Sequence, residues 1–260
     1  MLKPLLSFVA FVAIVYIALC VLLFVFQRSL IYYPQPRAPG EQSATMPLSV
    51  PGAELVISLR PHDGPQAIVY FGGNGEDVAY NLPDFSRAFP EHALYLMNYR
   101  GYGGSSGTPG ERAIHQDALA LFDWVHARHP HVVVMGRSLG SGIAIRLATE
   151  RPVERLVLIT PYSSIVELGA RHFPYFPVRW LLRDKYESWR YAPKITVPTL
   201  LIAAEHDEII PRASTEDLYR RFAPDIASLR VIPDVGHNTL SASPLYIASL
   251  IQGVGGGAGL

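Results

Sequence analysis

The chain has 260 residues, 49% of them hydrophobic, which is enough to build a full core within one α/β domain. Its 22 basic and 22 acidic residues give zero formal net charge, and no basic stripe is interleaved with aromatic residues, so a nucleic-acid-binding protein is disfavoured. Cys20 is the only cysteine, which excludes a disulfide framework and a cysteine-based zinc site.

Residues 5–26 contain no charged side chain, and as a helix they would extend about 33 Å at roughly 1.5 Å per residue, enough to cross a bilayer. A cleaved signal peptide has a shorter apolar region that ends at a small-residue cleavage site, whereas this run continues past any such site. A lipoprotein signal at 17–20 is disfavoured because Leu19 stands where a small residue is expected. A uniform terminal segment also argues against a buried core helix. We therefore predict an uncleaved transmembrane anchor over residues 1–28.

The residues after the apolar run predict the membrane edge but leave the orientation open. Side chains that favour the interface come next in the chain: Gln27, Arg28, Tyr32 and Tyr33. Lys3 and the terminal amine on one side are nearly balanced by Arg28 and Arg37 on the other. The very short tail before the anchor favours a cytoplasmic N-terminus, with the folded domain on the non-cytoplasmic side.

The rest of the chain alternates strand and helix patterns. Residues 29–51 are rich in Pro, Gly, Ser and Thr and predict an extended linker. Buried strands are predicted at 54–59, 67–71, 93–98, 131–136, 155–160, 198–203 and 228–232, and helices at about 77–89, 114–125, 142–148, 212–222 and 242–252. This alternation indicates an α/β domain over 52–252 with a mostly parallel sheet covered on both faces, followed by a disordered tail at 253–260.

One pentapeptide, 136–140 (GRSLG), suggests a catalytic nucleophile. It follows the apolar run 131–135 and precedes a helical pattern, so Ser138 would lie on a strained turn between a strand and a helix. Gly136 and Gly140 would let the strand and the helix approach closely, and the helix would direct its N-terminal N–H groups toward the serine. The pentapeptide alone is a weak signal, because a tight strand-to-helix turn can be merely structural.

Four further motifs, in this order with the pentapeptide, carry a resemblance to a known family. They are 26–34 (FQRSLIYYP), 98–103 (NYRGYG), 207–211 (DEIIP) and 236–238 (GHN). The chain resembles the α/β-hydrolases, and more narrowly the membrane-anchored group that includes α/β-hydrolase-domain-containing proteins 13 and 17. The resemblance covers about residues 26–246. It implies an α/β-hydrolase fold with a small cap, preceded by one N-terminal transmembrane helix.

The resemblance and the chemistry agree on a catalytic triad. A serine hydroxyl needs a base at neutral pH, best supplied by a histidine whose tautomer a carboxylate fixes. In this fold the order is serine, acid, histidine, and each group should follow the carboxyl end of a strand. Asp207 and His237 satisfy both rules, so we predict Ser138, Asp207 and His237 as the catalytic residues.

Several neighbours compete for these roles. Glu205 and Glu208 flank Asp207 and could supply the carboxylate, while His206 precedes the last strand and Asp234 suits a solvated turn. For the remaining histidines we expect solvent-exposed positions on helices or loops, among them His115, His126, His129 and His172.

The oxyanion hole should combine the backbone N–H of Leu139 with one from 72–75 (GGNG), the loop after the third strand. By position Asn74 is the donor and Gly73 the second choice. Relatives usually carry His-Gly-Asn here, so Gly72 replaces the expected histidine and puts the rigidity of the loop in doubt. A phosphate-binding function for these glycines is disfavoured because the loop lacks the GxGxxG pattern and the P-loop lysine.

The predicted function is a membrane-anchored serine hydrolase that cleaves carboxylic esters or thioesters through an acyl-enzyme, with no metal or organic cofactor. The aromatic stretch 161–193 lies where the family places its cap and would either shape an acyl pocket or form ordinary cap core. The expected substrate is a small or lipid-like acyl compound, an acylated protein being one option, with no nucleic acid as partner.

The alternatives are a serine aminopeptidase or acyltransferase and a catalytically silent binding protein. An aminopeptidase would need acidic residues in the cap to hold the substrate amine, and only Glu167, Asp184 and Glu187 are present there.

Overall fold

The computed structural model describes residues 2–37 and 43–255. The strands are β1 (Thr45–Val50), β2 (Ala53–Arg60), β3 (Gln66–Phe71), β4 (Ala93–Met97), β5 (His131–Arg137), β6 (Arg155–Ile159), β7 (Thr199–Ala204) and β8 (Ala227–Ile232). The helices are α1 (Leu2–Ile31), α2 (Leu82–Ala88), α3 (Glu111–His126), α4 (Leu139–Leu147), α5 (Ile165–His172), α6 (Val178–Leu181), α7 (Arg212–Tyr219) and α8 (Pro244–Val254). Short 3-10 helices occupy Val78–Asn81, Ser188–Arg190, Ala192–Lys194 and Leu240–Ala242.

The strands form one sheet in the order β1-β2-β4-β3-β5-β6-β7-β8. The first two contacts, β1 with β2 and β2 with β4, are antiparallel, and all later neighbours are parallel. The carboxyl ends of β3, β5, β6, β7 and β8 therefore meet at one edge, where the loops that follow them can form a common site.

Both faces of the sheet are buried, as β5 illustrates. Val132 and Val134 pack into one hydrophobic cluster with residues of α3, α4 and α7, whereas Val133 and Met135 pack into a second cluster with residues of α2 and α8. A strand buried on both sides has a continuous apolar sequence, which is why 132–135 is uniformly hydrophobic. Each such side chain contributes about 1.5–3 kcal/mol of burial free energy.

The linker prediction for 29–51 is wrong over β1. Residues 45–50 pair antiparallel with β2, and Met46, Leu48 and Val50 pack against the hydrophobic core. The sequence pattern is weak because β1 is an edge strand with one solvent-facing side, where Pro47 is tolerated.

The predicted disordered tail also begins too early. Helix α8 continues through Gly253 to Val254, which is buried in the second cluster, and Gly255 ends the helix with a left-handed φ of 103°. Residues 256–260 of the predicted tail lie outside the described residues.

Helix α1 covers the predicted anchor from Leu2 onward and extends three residues beyond residue 28. It is the one described helix that is long and apolar enough to cross a membrane, over 3–31, and most of its apolar side chains are exposed. The residues at its end, predicted as the membrane edge, also contact the folded domain. Gln27 and Tyr32 are buried, and Arg28 binds Asp184 of the cap at 3.0 Å, so these residues contact protein, while Tyr33 stays half exposed.

Candidate active site

Ser138 lies on a sharp turn between β5 and α4, as the pentapeptide predicts. Its backbone has φ 49° and ψ −117°, a conformation that non-glycine residues rarely adopt. A Cβ atom on Gly140 would collide with the carbonyl oxygen of Phe71 and lie 2.7 Å from that of Gly72, so the close approach of α4 to the β3 loop requires glycine here. The turn thus presents the serine at the carboxyl edge of the sheet.

The structure brings together the three predicted triad residues. His237 Nε2 lies 3.1 Å from Ser138 Oγ, and His237 Nδ1 lies 2.9 Å from Asp207 Oδ2 and 3.0 Å from Oδ1. Ser138 and His237 are both buried. This arrangement can move a proton from the hydroxyl to the imidazole while the carboxylate fixes the tautomer.

Backbone and side-chain contacts hold the acid and the base in place. Asp207 Oδ1 accepts the N–H groups of Ile209, at 3.0 Å, and Ile210, at 2.7 Å. The N–H of His237 donates to Glu208 Oε2 at 3.0 Å, and its carbonyl accepts from Arg137 at 3.2 Å. Glu208 therefore supports the histidine loop and does not contact the imidazole as the triad carboxylate would.

The other competitors lie on the surface, away from the serine. Glu205 accepts the N–H of Asp234 at 3.0 Å, and the exposed His206 lies 3.8 Å from Glu205. Ligand atoms of Glu205, His206 and Asp234 lie within 4.8 Å of one another, a spacing that could hold a metal ion, but all three residues are exposed. The structure thus separates this group from the triad.

Two of the remaining histidines are buried, contrary to the expectation of exposed positions. His129 lies between Tyr95, whose hydroxyl is 3.0 Å from Nε2, and the carbonyl of Gly64, which is 2.8 Å from Nδ1. His115 on α3 is buried with Nε2 3.0 Å from Glu150. His129 uses both ring nitrogens and His115 uses Nε2 in contacts with protein groups, which a helical or loop pattern alone does not reveal.

The predicted oxyanion donors differ in availability. In the described part of the chain, the backbone N–H groups of Asn74 and Leu139 donate no hydrogen bond. The N–H of Gly73, the second choice, instead donates to Glu76 Oε2 at 2.7 Å, so Gly73 is not a free donor. The structure therefore leaves the Asn74 and Leu139 amides as the pair that could receive an oxyanion.

Glu76 and Arg137 organise this loop, and sequence reasoning missed both. Besides the Gly73 amide, the Glu76 carboxylate accepts from Tyr70 at 2.7 Å and from Asn81 at 2.6 Å, and it lies 3.3 Å from Arg137. Arg137 in turn contacts the His237 carbonyl, linking the oxyanion loop to the base. The one signal in the sequence is the position of Glu76, three residues after Gly73.

The structure also answers the doubt about loop rigidity at Gly72. The Gly72 carbonyl accepts from Tyr99 Oη at 2.7 Å and from the Gly140 N–H at 3.1 Å. Burial raises the pKa of the Tyr99 hydroxyl well above its ordinary value, which keeps it protonated as a donor. A Cβ at Gly72 would lie 2.6 Å from Val78, so Val78 occupies the space that a side chain at this position would need.

Two cavities meet at Ser138. The first, of about 520 Å³, is lined mainly by apolar residues of α1 and of the segment between β6 and β7, and it reaches Ser138, Leu139 and Asn74. The second, of about 660 Å³, has a mixed lining whose polar residues include Glu76, Arg137, His237 and Asn238, together with Asn74 and Ser138. The serine therefore has an apolar cavity on one side and a more polar cavity on the other.

The sequence matches one family model and several curated proteins. A model described as serine aminopeptidase, S33 matches residues 88–191 and 178–243. An uncharacterised protein of Mycobacterium tuberculosis is 32% identical over 252 residues, covering 88% of this chain and 87% of that protein. Lysophosphatidylserine lipase ABHD12 of Macaca fascicularis is 33% identical over 181 residues, covering 60% of this chain and 45% of the lipase.

Solved structures with the same fold include esterases. The Pyrococcus furiosus esterase Pf2001 superposes with a TM-score of 0.67 at 16% identity, covering 85% of this chain and 96% of that one. Est1E from Butyrivibrio proteoclasticus, solved with ferulic acid, gives a TM-score of 0.64 at 15% identity and covers 80% and 96%. At these identities the likeness establishes the fold alone.

Proposed function

The chain belongs to the serine aminopeptidase S33 family of α/β-hydrolases and is a serine hydrolase of the esterase or lipase type, and we propose that it cleaves acyl esters or thioesters at a membrane through Ser138, Asp207 and His237. The observation that carries this proposal is the contact chain from Asp207 through His237 to Ser138, at 2.9 and 3.1 Å. It also disfavours a catalytically silent binding protein, because no member of the triad is missing or misplaced.

In the proposed mechanism, Ser138 Oγ attacks the acyl carbonyl carbon while its proton passes to His237 Nε2. Asp207 stabilises the resulting imidazolium through Nδ1, and the amides of Asn74 and Leu139 bind the oxyanion. The tetrahedral intermediate collapses as the imidazolium gives its proton to the departing alcohol or thiol, leaving an acyl-enzyme. Water, deprotonated by His237, then attacks the acyl-enzyme and releases the acid and the free serine.

The two cavities at Ser138 support an amphiphilic substrate. An acyl chain would lie in the apolar cavity and the polar leaving group in the polar cavity, with the scissile carbonyl between them at Asn74 and Ser138. The relative named as a lysophosphatidylserine lipase agrees with a lipid-like substrate of this kind. A thioester of an acylated protein fits the same division, with the protein outside the apolar cavity.

We further propose that α1 is retained as a membrane anchor. The side chain of Asn74 donates to the carbonyl of Ile31 at 2.9 Å, and the Asn74 carbonyl accepts the N–H of Tyr33 at 3.0 Å. Cleavage of α1 as a signal sequence would remove the Ile31 contact to the oxyanion loop and open one side of the apolar cavity. Retention therefore suits a working active site better than cleavage.

An aminopeptidase activity finds little support in the cap, although it is the name of the matching family. The three acidic residues that could hold a substrate amine have other partners: Glu167 contacts Ser214 at 3.3 Å, Asp184 binds Arg28 and Glu187 binds Arg190. Among the described residues that line the apolar cavity, none is acidic.

The test is a substrate series with the full chain reconstituted in phosphatidylcholine liposomes. We expect hydrolysis of p-nitrophenyl acyl esters and of an acyl thioester, with much slower cleavage of aminoacyl anilides, and loss of all activity in Ser138→Ala. Faster cleavage of the anilides than of the esters would contradict the proposal and favour the aminopeptidase.

A further inference from the structure

Helix α1 packs along the cap, residues 161–193, over much of its length. Tyr16 donates its hydroxyl to the Tyr175 carbonyl at 2.9 Å and stacks on Phe176, with ring centroids 5.7 Å apart. Twelve residues later, Arg28 binds Asp184 at 3.0 Å. At about 1.5 Å per residue these contacts lie roughly 18 Å apart along the helix axis.

Between Tyr16 and Arg28, α1 makes specific contacts with the cap. Gln27 donates to the Leu181 carbonyl at 3.2 Å and accepts the Arg183 N–H at 2.7 Å. The Arg183 guanidinium also lies over the ring of Phe24 at 4.1 Å. The cap is therefore held against the carboxyl-terminal half of α1 by polar and aromatic contacts.

This packing limits how much of α1 is free to lie in a bilayer beyond the cap. Lys3 carries a charge and bounds the apolar run of α1 on the side away from the cap. From Lys3 to Tyr16 the helix rises only about 20 Å, whereas the hydrocarbon core of a bilayer is about 30 Å thick. If α1 spans the membrane with Lys3 at the far edge of the hydrocarbon, the level of Tyr16 lies about 10 Å inside the hydrocarbon core, and the cap residues beside it lie at the same depth.

The tip of the cap, residues 173–181, carries exposed side chains that are typical of protein segments in contact with the bilayer. Tyr175 and Trp180 are 85% and 88% exposed, an unusual exposure for large aromatic side chains, and they are the residues that favour the membrane interface. Arg179 between them is also exposed, and its long side chain can extend toward the headgroups.

The apolar cavity runs between α1 and this cap. Its wall on α1 extends from Ile31, beside Asn74, back to Leu23 and Phe24, roughly 12 Å along the axis. On the cap side, Phe173 and Phe176 line it, and Phe176 also contacts Tyr16. The cavity thus leads from the nucleophile to the part of the cap placed at membrane depth.

We propose that the cap tip is embedded in the leaflet next to the catalytic domain, and that an acyl chain reaches Ser138 laterally from that leaflet, through the cavity between α1 and the cap. The proposal rests on the proposed hydrolase function and makes the anchor helix a wall of the acyl site. The occupant is an acyl chain of a membrane lipid or lipid-like amphiphile, because an apolar cavity that opens at bilayer depth is filled from the hydrocarbon phase.

The depth of the cap can be measured in the full chain with Cys20→Ala as background. An environment-sensitive fluorophore is attached to a Tyr175→Cys or Trp180→Cys variant, and to Glu91→Cys as a control that lies exposed before β4. In liposomes with nitroxide on the lipid acyl chains, we expect at least twofold quenching at both cap positions and none at position 91. Cap labels that are quenched no more than the control would overturn the proposal.

The route is tested by narrowing the cavity from the α1 side. Leu23→Trp places a bulky ring in the cavity wall, whereas Leu22→Trp changes an exposed neighbour that does not line it. We expect Leu23→Trp to lower the ratio of long-chain to short-chain ester hydrolysis about tenfold and Leu22→Trp to leave it unchanged. An unchanged ratio in Leu23→Trp would contradict lateral entry but would leave the hydrolase function standing. A wild type that is inactive on all esters would contradict the hydrolase function itself.

Discussion

Ser138 is held in a backbone conformation that costs on the order of 1–3 kcal/mol, and its neighbours offset that cost. The Ser138 N–H donates to the Ile159 carbonyl at 2.8 Å, and its own carbonyl accepts from the Ser141 N–H at 2.9 Å and from the Ser141 hydroxyl at 2.7 Å. These bonds tie the turn to β6 and α4. The serine is thereby pre-positioned against His237, with no rearrangement needed to form the contact.

Replacing Gly140 should break this turn. In Gly140→Ala the new methyl group meets the Phe71 carbonyl oxygen, a backbone atom that cannot rotate away, so we expect a loss of about 1–3 kcal/mol or more of unfolding free energy. Urea denaturation measures the change. Gly75→Ala is the matched control, since its Cβ would lie 3.7 Å from the nearest atom, and equal destabilisation of the two variants would refute the packing argument.

The carboxylates near the triad should differ sharply in their effect on activity. Asp207→Asn keeps an acceptor for the Ile209 and Ile210 amides but turns an N–H toward His237 Nδ1, which favours the wrong tautomer, so we expect kcat to fall about 10³–10⁴-fold. Glu205→Gln, on the exposed side of the same loop, should leave kcat within about twofold. Ester hydrolysis at saturating substrate distinguishes them, and a comparable loss in Glu205→Gln would reassign the acid.

At the scale of elements, the site depends on long-range contacts between loops and helices that are far apart in the chain. The carboxyl-terminal end of α1 contacts Asn74 of the loop after β3. From the loop after β4, the Tyr102 hydroxyl donates to the Asn74 carbonyl at 2.6 Å. The oxyanion loop is therefore braced from two directions. A change in the position of α1 would be transmitted to the Asn74 amide through these bonds.

The α3–α4 interface should make stability depend on pH. Burial, together with the charge of Arg146, lowers the pKa of His115 below its ordinary value of 6.5, although Glu150 opposes the shift. The folded state therefore protonates His115 less readily than the unfolded chain does. The contribution of neutral His115 to folding stability is present above pH 6.5 and is lost as the pH falls below that value. We expect Tm to fall less between pH 7.5 and 5.5 in His115→Gln than in the wild type, by differential scanning fluorimetry. Equal falls in Tm in the wild type and in His115→Gln would show that His115 does not carry the effect. Burial also lowers the pKa of His92, but His92 is present in both proteins and contributes equally to each.

The sequence predicted the elements whose patterns are local. The β5 run and the turn after it are contiguous, and Asp207 and His237 follow the ends of β7 and β8, where topology alone brings them to the serine. The strand β1 was missed because an edge strand buries only one side. Glu76 and Arg137 were missed because the ion pair between them and the contact of Arg137 with the His237 carbonyl join segments far apart in the chain, which no local spacing records.

At the scale of the whole molecule, the N-terminal helix and the hydrolase domain form one functional unit. Sequence composition indicated an anchor, but it described the residues after the anchor as a membrane edge and a linker. The structure in addition packs Gln27, Arg28 and Tyr32 against the cap and makes α1 a wall of the apolar cavity. Removing α1 to obtain a smaller protein should therefore alter the active site as well as membrane attachment.

The central claim is that Ser138 is an activated nucleophile, and covalent labelling tests it most directly. The full chain in membranes is treated with a fluorophosphonate probe, and the modified peptide is located by mass spectrometry. We expect one modification at Ser138, none in Ser138→Ala, and labelling slowed at least about 100-fold in His237→Gln, because the base is needed to deprotonate the hydroxyl. A folded wild type that remains unlabelled, or a label that persists in Ser138→Ala, would contradict the account.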